Sequence, residues 1–136
     1  MPSARWSVLA TGENVSHIRQ AIVDFASANG ISEPLLGDIQ LAISEAVTNA
    51  VVHAYRRYAQ SGSVEVHAAM TSAWFEARVR DEGSGMRPRT DSPGIGLGLP
   101  LIHRLADQVE LRPGTNGRGT ELCMRFHLGE RTDVQR

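Results

Sequence analysis

Two consecutive stretches of this chain alternate apolar and polar residues with a period of two. In SVEVHAAM, Val64, Val66, Ala68 and Met70 alternate with Glu65, His67 and Ala69. In SAWFEARVRDEG, Phe75, Ala77 and Val79 alternate with Glu76, Arg78 and Arg80. Such alternation gives a strand one face for a core and one for water. A third region, VELRPGTNGRGTELCMRFHL, reads as a hairpin with Leu122, Met124, Phe126 and Leu128 on its inner side. Short turns between neighbouring strands favour antiparallel pairing. A sheet with a single apolar face must be covered by a second layer.

Helical patterns supply that layer. RWSVLA near the start reads as a first strand, and NVSHIRQAIVDFASANG follows it as a helix. Its apolar stripe is Val15, Ile18, Ala21, Ile22 and Phe25, and Asn29-Gly30 form its C-cap. SEPLLGDIQ opens a second helix, with Ser32 as N-cap and Pro34 in the first turn, running to about Arg57. QSGS is a turn. LPLIHRLADQ makes a third helix, with Pro100 in its first turn and Leu101, Ile102 and Leu105 on its apolar side. The order is strand, helix, helix, strand, strand, helix, strand, strand. The expected fold is an α/β (α+β) two-layer sandwich, a mixed, mainly antiparallel sheet with three helices on one face.

The 136 residues match one domain, 1–136, long enough to bury a core without staples. Apolar residues make up 41% and charged residues 21%, ordinary values for a globular chain. A net charge of −1 gives no basic field for nucleic acid or an anionic membrane. The single cysteine, Cys123, excludes an internal disulfide and reads as a structural residue, which suits a reducing compartment. MPSARWSVLA lacks the shape of a signal peptide, and no segment approaches the roughly 20 apolar residues of a membrane span. A cytoplasmic protein is the expectation.

The second helix carries more than a core face. Ile39, Ala42, Ile43, Ala46, Ala50 and Ala54 recur at the spacing of one helical side. Beside them Glu45, Asn49 and His53 follow one another at four-residue steps, one turn above another. Asp81 breaks the strand pattern, being in phase with Phe75, Ala77 and Val79. A carboxylate on an apolar face is costly unless satisfied. Either it swings to solvent or caps the turn, or it accepts from a buried donor such as the exocyclic amine of a base. Gly83 and Gly85, just beyond, favour the second reading, because they permit a tight bend or a close approach to a flat ligand. Gly94, Gly96 and Gly98 alternate just before the third helix, where backbone N–H groups make an anion cradle. No Gly-Lys-Ser/Thr follows, so this is not a Walker A loop, and no parallel strand–turn–helix unit makes it a dinucleotide fingerprint.

Jointly, the Glu45/Asn49 helix, DEGSGM, GIGLGL and GRGTEL are similar in order and spacing to the GHKL ATPase superfamily of gyrase, heat-shock chaperone, histidine kinase and mismatch-repair ATPases. EAVTNAVVHAY with RDEGSGM most resembles the bacterial anti-sigma factor serine/threonine kinases, over about Ser7 to Leu128. The resemblance implies a Bergerat-type ATP-binding fold, with ATP and Mg2+ as cofactors. By position, Asn49 matches the magnesium ligand and Glu45 the general base. Asp81 matches the acceptor of the adenine amino group. Gly83, Gly85 and Met86 match the adenine turn. Gly94, Gly96, Leu97, Gly98 and Leu99 match the phosphate-side loop. Thr120 matches the threonine near the base and its bridging water. His53 matches a wall of the pocket, or is a capping histidine near the helix end.

Only Arg87 to Pro93 separate the two glycine motifs, where many relatives have a longer lid over ATP. Kinase relatives often place an arginine just before the glycine loop. Here Ser92-Pro93 stand there, and Arg89 is the nearest candidate for the terminal phosphate. The implied function is a serine protein kinase that phosphorylates a STAS-type anti-anti-sigma partner and sequesters a sigma factor. Relatives commonly form homodimers. The alternative is a nucleotide-dependent regulatory binding module with little or no kinase activity. A histidine kinase's ATPase part fits less well, as no dimerisation helices precede residue 5.

Overall fold

The computed structural model describes residues 2–54, 62–81, 95–114 and 119–129, with side chains at all of these except 53–54 and 95–98. The elements are β1 (Ser3–Leu9), α1 (Gly12–Ala28), α2 (Leu35–Asn49), a π-helical turn (Ala50–Ala54), β2 (Ser63–Met70), β3 (Trp74–Asp81), α3 (Ile95–Leu105), β4 (Gln108–Pro113) and β5 (Thr120–His127). The five strands form one sheet in the order β1-β2-β3-β5-β4. All four pairings are antiparallel. The result is an α+β two-layer sandwich.

The first alternating run becomes β2 in full, and β3 occupies Trp74–Asp81 within the second. Val64, Val66, Ala68, Phe75, Ala77 and Val79 are fully buried, and so are Leu122, Met124 and Phe126 across the β3–β5 register. The β2–β3 hairpin turns on Thr71, whose hydroxyl accepts from the N–H groups of Ala73 and Trp74 at 3.1 and 3.0 Å. The β4–β5 connection ends at Gly119, with φ +68, a conformation costly for a residue with a Cβ. That turn delivers Thr120 to the first position of β5.

α1 ends as a Schellman motif. Ile31 N–H donates to Ala26 O and Gly30 N–H to Ser27 O, with Gly30 at φ +93. The expected Asn29-Gly30 cap is therefore realised, and Asn29 Nδ2 adds a 2.8 Å bond to Phe25 O. Ile18, Ile22 and Ala26 are its buried line, flanked by half-buried Val15, Ala21 and Phe25.

α2 is the central helix, packed on α1 on one side and α3 on the other. Ile39, Ala42, Ile43, Ala46 and Ala50 have no exposed surface. The three alanines keep the helix axis close to its neighbours, and the isoleucines fill the layer at roughly 1.5–3 kcal/mol each when fully buried. This burial explains a segment that departs from expectation. Leu35–Val52 is apolar enough over 18 residues to pass for a membrane span, but its apolarity is that of a helix covered on three sides.

Three local expectations need correction. Ser32 is not the N-cap of α2. Pro34 holds that position, and the Glu33 carboxylate accepts from Gly37 N–H at 3.0 Å, putting an anion at the helix's positive end. Regular α-helix stops at Asn49 rather than near Arg57, giving way to the π-helical turn; residues 55–61 lie outside the described residues. α3 begins at Ile95, so Pro100 sits inside it and not in its first turn. Ile102 is fully buried, and Leu99 and Leu105 pack against the core with Ala106 just past the helix, while Leu101 is half-buried.

Among the described residues, the other face of the sheet carries no helix. Glu65, Arg80, Glu121 and Arg112 lie side by side in one register row across β2, β3, β5 and β4. Arg80 pairs with Glu65 at 3.5 Å, and Arg112 with Glu121 at 3.5 Å. In the neighbouring rows Glu76 meets Arg78 at 3.1 Å and Arg125 at 3.7 Å. Cys123 is sunk among these chains, 4% exposed, its thiol 3.5 Å from Glu76 Oε2. Burial, with Glu76 adding to it, pushes the thiol above its ordinary pKa. The structural reading of this cysteine fits that environment.

Candidate active site

Among the described residues, three buried polar residues interrupt the otherwise apolar interior: Asn49, 6% exposed, Asp81, 1%, and Thr120, 6%. Their positions are related. Asp81 closes β3 and Thr120 opens β5, and the two face each other directly in the register. Directly opposed residues point to the same side of a sheet. That side is the helix-covered one, since Asp81 lies in phase with buried Phe75, Ala77 and Val79, and Thr120 with buried Leu122, Met124 and Phe126.

Alternate residues share a face, and Phe75, Ala77, Val79 and Asp81 are all buried, as are Thr120, Leu122, Met124 and Phe126. Val79 and Leu122 are thus two positions from Asp81 and Thr120 on the same inner side, and all four face the helices.

Asn49 is the last α-helical residue of α2. Both α2 and the π-helical turn pack on β3, the strand that ends in Asp81. Glu45, one turn before Asn49, is half-buried. The four residues therefore come from the C-terminal half of α2 and from the two neighbouring strand ends at one edge of the core. The four-residue step that carries Glu45 to Asn49 does not continue to position 53. In a π-helical turn the hydrogen bonds run i→i+5, so a residue four further on no longer stands directly above. The side chain of His53 lies outside the described residues. The π-helical turn beside this site is the feature that the sequence reading missed. The apolar run Ala50-Val51-Val52 continues the pattern of an ordinary helix and gives no sign of it.

Gly83, Gly85, Met86, Arg89 and Gly94 lie outside the described residues. Gly96, Leu97, Gly98 and Leu99 are within α3, so the alternating glycines do not all precede the helix; Gly96 and Gly98 form its opening turn. A glycine at such a place still leaves the first backbone N–H groups open to an approaching anion. Leu99 packs against the core. A depression on the outer face, lined by Glu76, Gln108, Glu110, Arg112, Cys123 and Arg125, is separate from these residues.

The donor set fits a purine nucleotide with a hard cation. An amide oxygen suits magnesium beside phosphates and water. A buried carboxylate suits an amino donor, and a second carboxylate nearer solvent suits proton transfer. A family profile described as the histidine kinase-like ATPase domain matches residues 8–126. This chain belongs to that family. It is therefore a nucleotide-binding domain, and its relatives place it with the anti-sigma kinases of the GHKL superfamily. The anti-sigma F factor of Clostridium acetobutylicum is 30% identical over 86% of this chain and 87% of its own length. The serine-protein kinase RsbW of Bacillus subtilis is 33% identical over 93% of this chain and 86% of its own. A crystal structure of the RsbU and RsbW domains of a Mycobacterium tuberculosis protein superposes with a TM-score of 0.73 at 25% identity, covering 94% of this chain and 33% of that longer one.

Proposed function

We propose that this domain binds ATP with magnesium, phosphorylates a serine of a STAS-type anti-anti-sigma protein, and sequesters a sigma factor, in the cytoplasm and as a homodimer. The observation that carries the reading is the fully buried Asp81 carboxylate, set in register with Thr120 on the helix-covered side, beside the end of α2 that bears Asn49 and Glu45. Such a carboxylate is expensive in an apolar layer, and an adenine amino group gives it a charge-assisted donor. Its assignment to adenine also rests on the family.

Each residue then has a distinct task. Asp81 accepts from the adenine amino group and selects against guanine, which presents a carbonyl oxygen there. Thr120 stands beside it to hold a bridging water. Asn49 offers its amide oxygen to magnesium. Among the described residues no three His, Cys, Asp or Glu stand together as a metal cage, so the ion would draw its other ligands from phosphate and water. Magnesium supplies charge neutralisation on the phosphates. Arg89 and the glycines from Gly94 to Gly98 meet the phosphates. Glu45 takes the proton of the attacking serine hydroxyl as its oxygen bonds to phosphorus and the bond to the leaving ADP breaks.

The deciding experiment compares wild type with Glu45→Gln, using labelled ATP, magnesium and the anti-anti-sigma domains of the same organism. A positioned base contributes about 10²–10⁴-fold in rate and little to ground-state binding. Glu45→Gln should lose transfer by that factor and hold ATP within about threefold of wild type. Transfer at the wild-type rate would remove Glu45 as the base. Wild-type protein that binds ATP and labels no serine would leave the nucleotide-dependent binding module instead.

A further inference from the structure

Two large apolar side chains on α2 and its π-helical extension are exposed: Leu41, 44%, and Val52, 45%. They are not scattered. Leu41, Glu45 and Thr48 follow at steps of four and three on α2, the spacing of one helical stripe, and Val52 is exposed in the π-helical turn that continues it. The opposite side of the helix, Ala42, Ile43, Ala46 and Ala50, is wholly buried. Exposure grades across the helix. Asn49 is buried at 6%, Glu45 is half-buried, and Leu41, Thr48 and Val52 face solvent. The carboxylate thus sits on the border between the interior and an apolar-ended surface stripe. Leu41 stands about 6 Å before it along the axis, and Val52 lies beyond it in the π-helical turn.

We propose that Leu41 and Val52 form the seat on which the serine-bearing surface of the acceptor protein docks, one on each side of Glu45. The inference rests on the kinase reading above and adds the docking surface. A hydroxyl that gives its proton to Glu45 must come within hydrogen-bond reach of it. Glu45 is half-buried, with buried Ala46 and Asn49 on its inner side of the helix, so a protein-borne serine arrives from the solvent flank. Any surface that brings it there covers the stripe as well. The acceptor chemistry follows: a serine flanked on both sides by apolar residues, one to meet Leu41 and one to meet Val52. Apolar contacts of this kind bind substrate equally in ground and transition states, so they set KM.

The test uses Leu41→Gln, Val52→Gln and the double variant in the full chain. Glutamine is a good helix former and uncharged, so it leaves Glu45's charge environment intact. Leu9→Gln is the control, because Leu9 is 63% exposed at the end of the edge strand β1, off this helix. With the anti-anti-sigma domain that wild type phosphorylates, the double variant should raise KM roughly tenfold, as for loss of an interface anchor, with kcat and ATP affinity within about twofold. Leu9→Gln should match wild type. A photo-crosslinking residue at position 41 should capture the same domain without relying on rates. If the double variant keeps the wild-type KM and position 41 captures nothing, the docking surface is refuted and the kinase reading stands. If the double variant changes the sedimentation of the protein alone, or loses a sigma factor while keeping KM, a second copy or the sigma factor covers the stripe and the proposal falls. If wild type phosphorylates no anti-anti-sigma domain, the kinase reading fails first and the docking surface falls with it.

Discussion

The two faces of the sheet are built from the same strands by opposite rules. The covered face is apolar with two polar exceptions, Asp81 and Thr120. The outer face is a lattice of alternating Glu and Arg with one buried exception, Cys123. On the covered face an exception is costly, because little but the chain and a ligand can satisfy it. On the outer face a charge has water and a neighbour of opposite sign within 4 Å. A polar residue inside the covered layer is therefore informative about function, and one on the lattice is not. The same distinction separates the two carboxylates of β3, Glu76 among its arginines and Asp81 in the core.

The largest break in this comparison comes from the core side. Phe126 is fully buried between β5 and the helices, its ring centroid 6.2 Å from that of Phe75. Phe126→Ala should cost about 3–5 kcal/mol, through lost transfer energy and a cavity that the layer closes only in part. Urea unfolding followed by circular dichroism measures it. A loss below about 1 kcal/mol, the scale of a surface change, would mean that the covered face is packed far more loosely than its burial implies.

A smaller and more selective effect is expected at Asp81. Asp81→Asn keeps the shape and removes the charge, so the loss should be in nucleotide binding. A hydrogen bond to a charged group contributes roughly 1.5–3 kcal/mol, so ATP affinity should fall by about 10- to 150-fold. Calorimetry with ATP and GTP should show wild type preferring ATP and the variant losing much of that preference. Equal affinities of wild type for the two would remove the adenine role. Asn49→Ala should instead abolish the magnesium dependence of ATP binding.

How far these features could be read in advance depended on periodicity. The face that each residue of β2 and β3 takes was legible, because a strict period of two fixes it. The Asp81 anomaly was legible for the same reason, as a carboxylate in the phase of Phe75, Ala77 and Val79. The C-cap at Asn29-Gly30 was also legible, since left-handed backbone selects glycine. Helix ends without such a signal were not. Ser32 is a better N-cap by residue type than Pro34, but the Glu33 side chain reaches the Gly37 N–H and supplies the cap from elsewhere. Pro100 suggested a first turn, and the helix begins five residues earlier. The π-helical turn after Asn49 was illegible, because the same apolar residues serve either winding. Glu45, Asn49, Asp81 and Thr120 were singled out by combining phase with family likeness. Phase alone marks only the residues buried against the pattern, and Glu45, half-buried on a helix side, is not one of them.

The smallest effect should be found on the lattice. The Arg80–Glu65 pair spans 3.5 Å, with side chains 34% and 39% exposed. Attraction between partly exposed charges is weakened by solvent, and holding two long side chains in one geometry costs entropy, so such pairs contribute about 0–1 kcal/mol. Arg80 sits in a row with Glu121 on its other side, so removing Glu65 leaves it a second carboxylate to turn towards. A double-mutant cycle with Glu65→Gln and Arg80→Gln isolates the pair from that compensation. Its coupling energy should lie within that range at low salt. It should shrink in 1 M salt, where the Debye length is about 3 Å, and ATP affinity should not change in any member of the cycle. A coupling of several kcal/mol that persists in high salt would make the outer face as informative as the covered one. The contrast would then rest on Asp81 alone, and the lattice would need a function of its own.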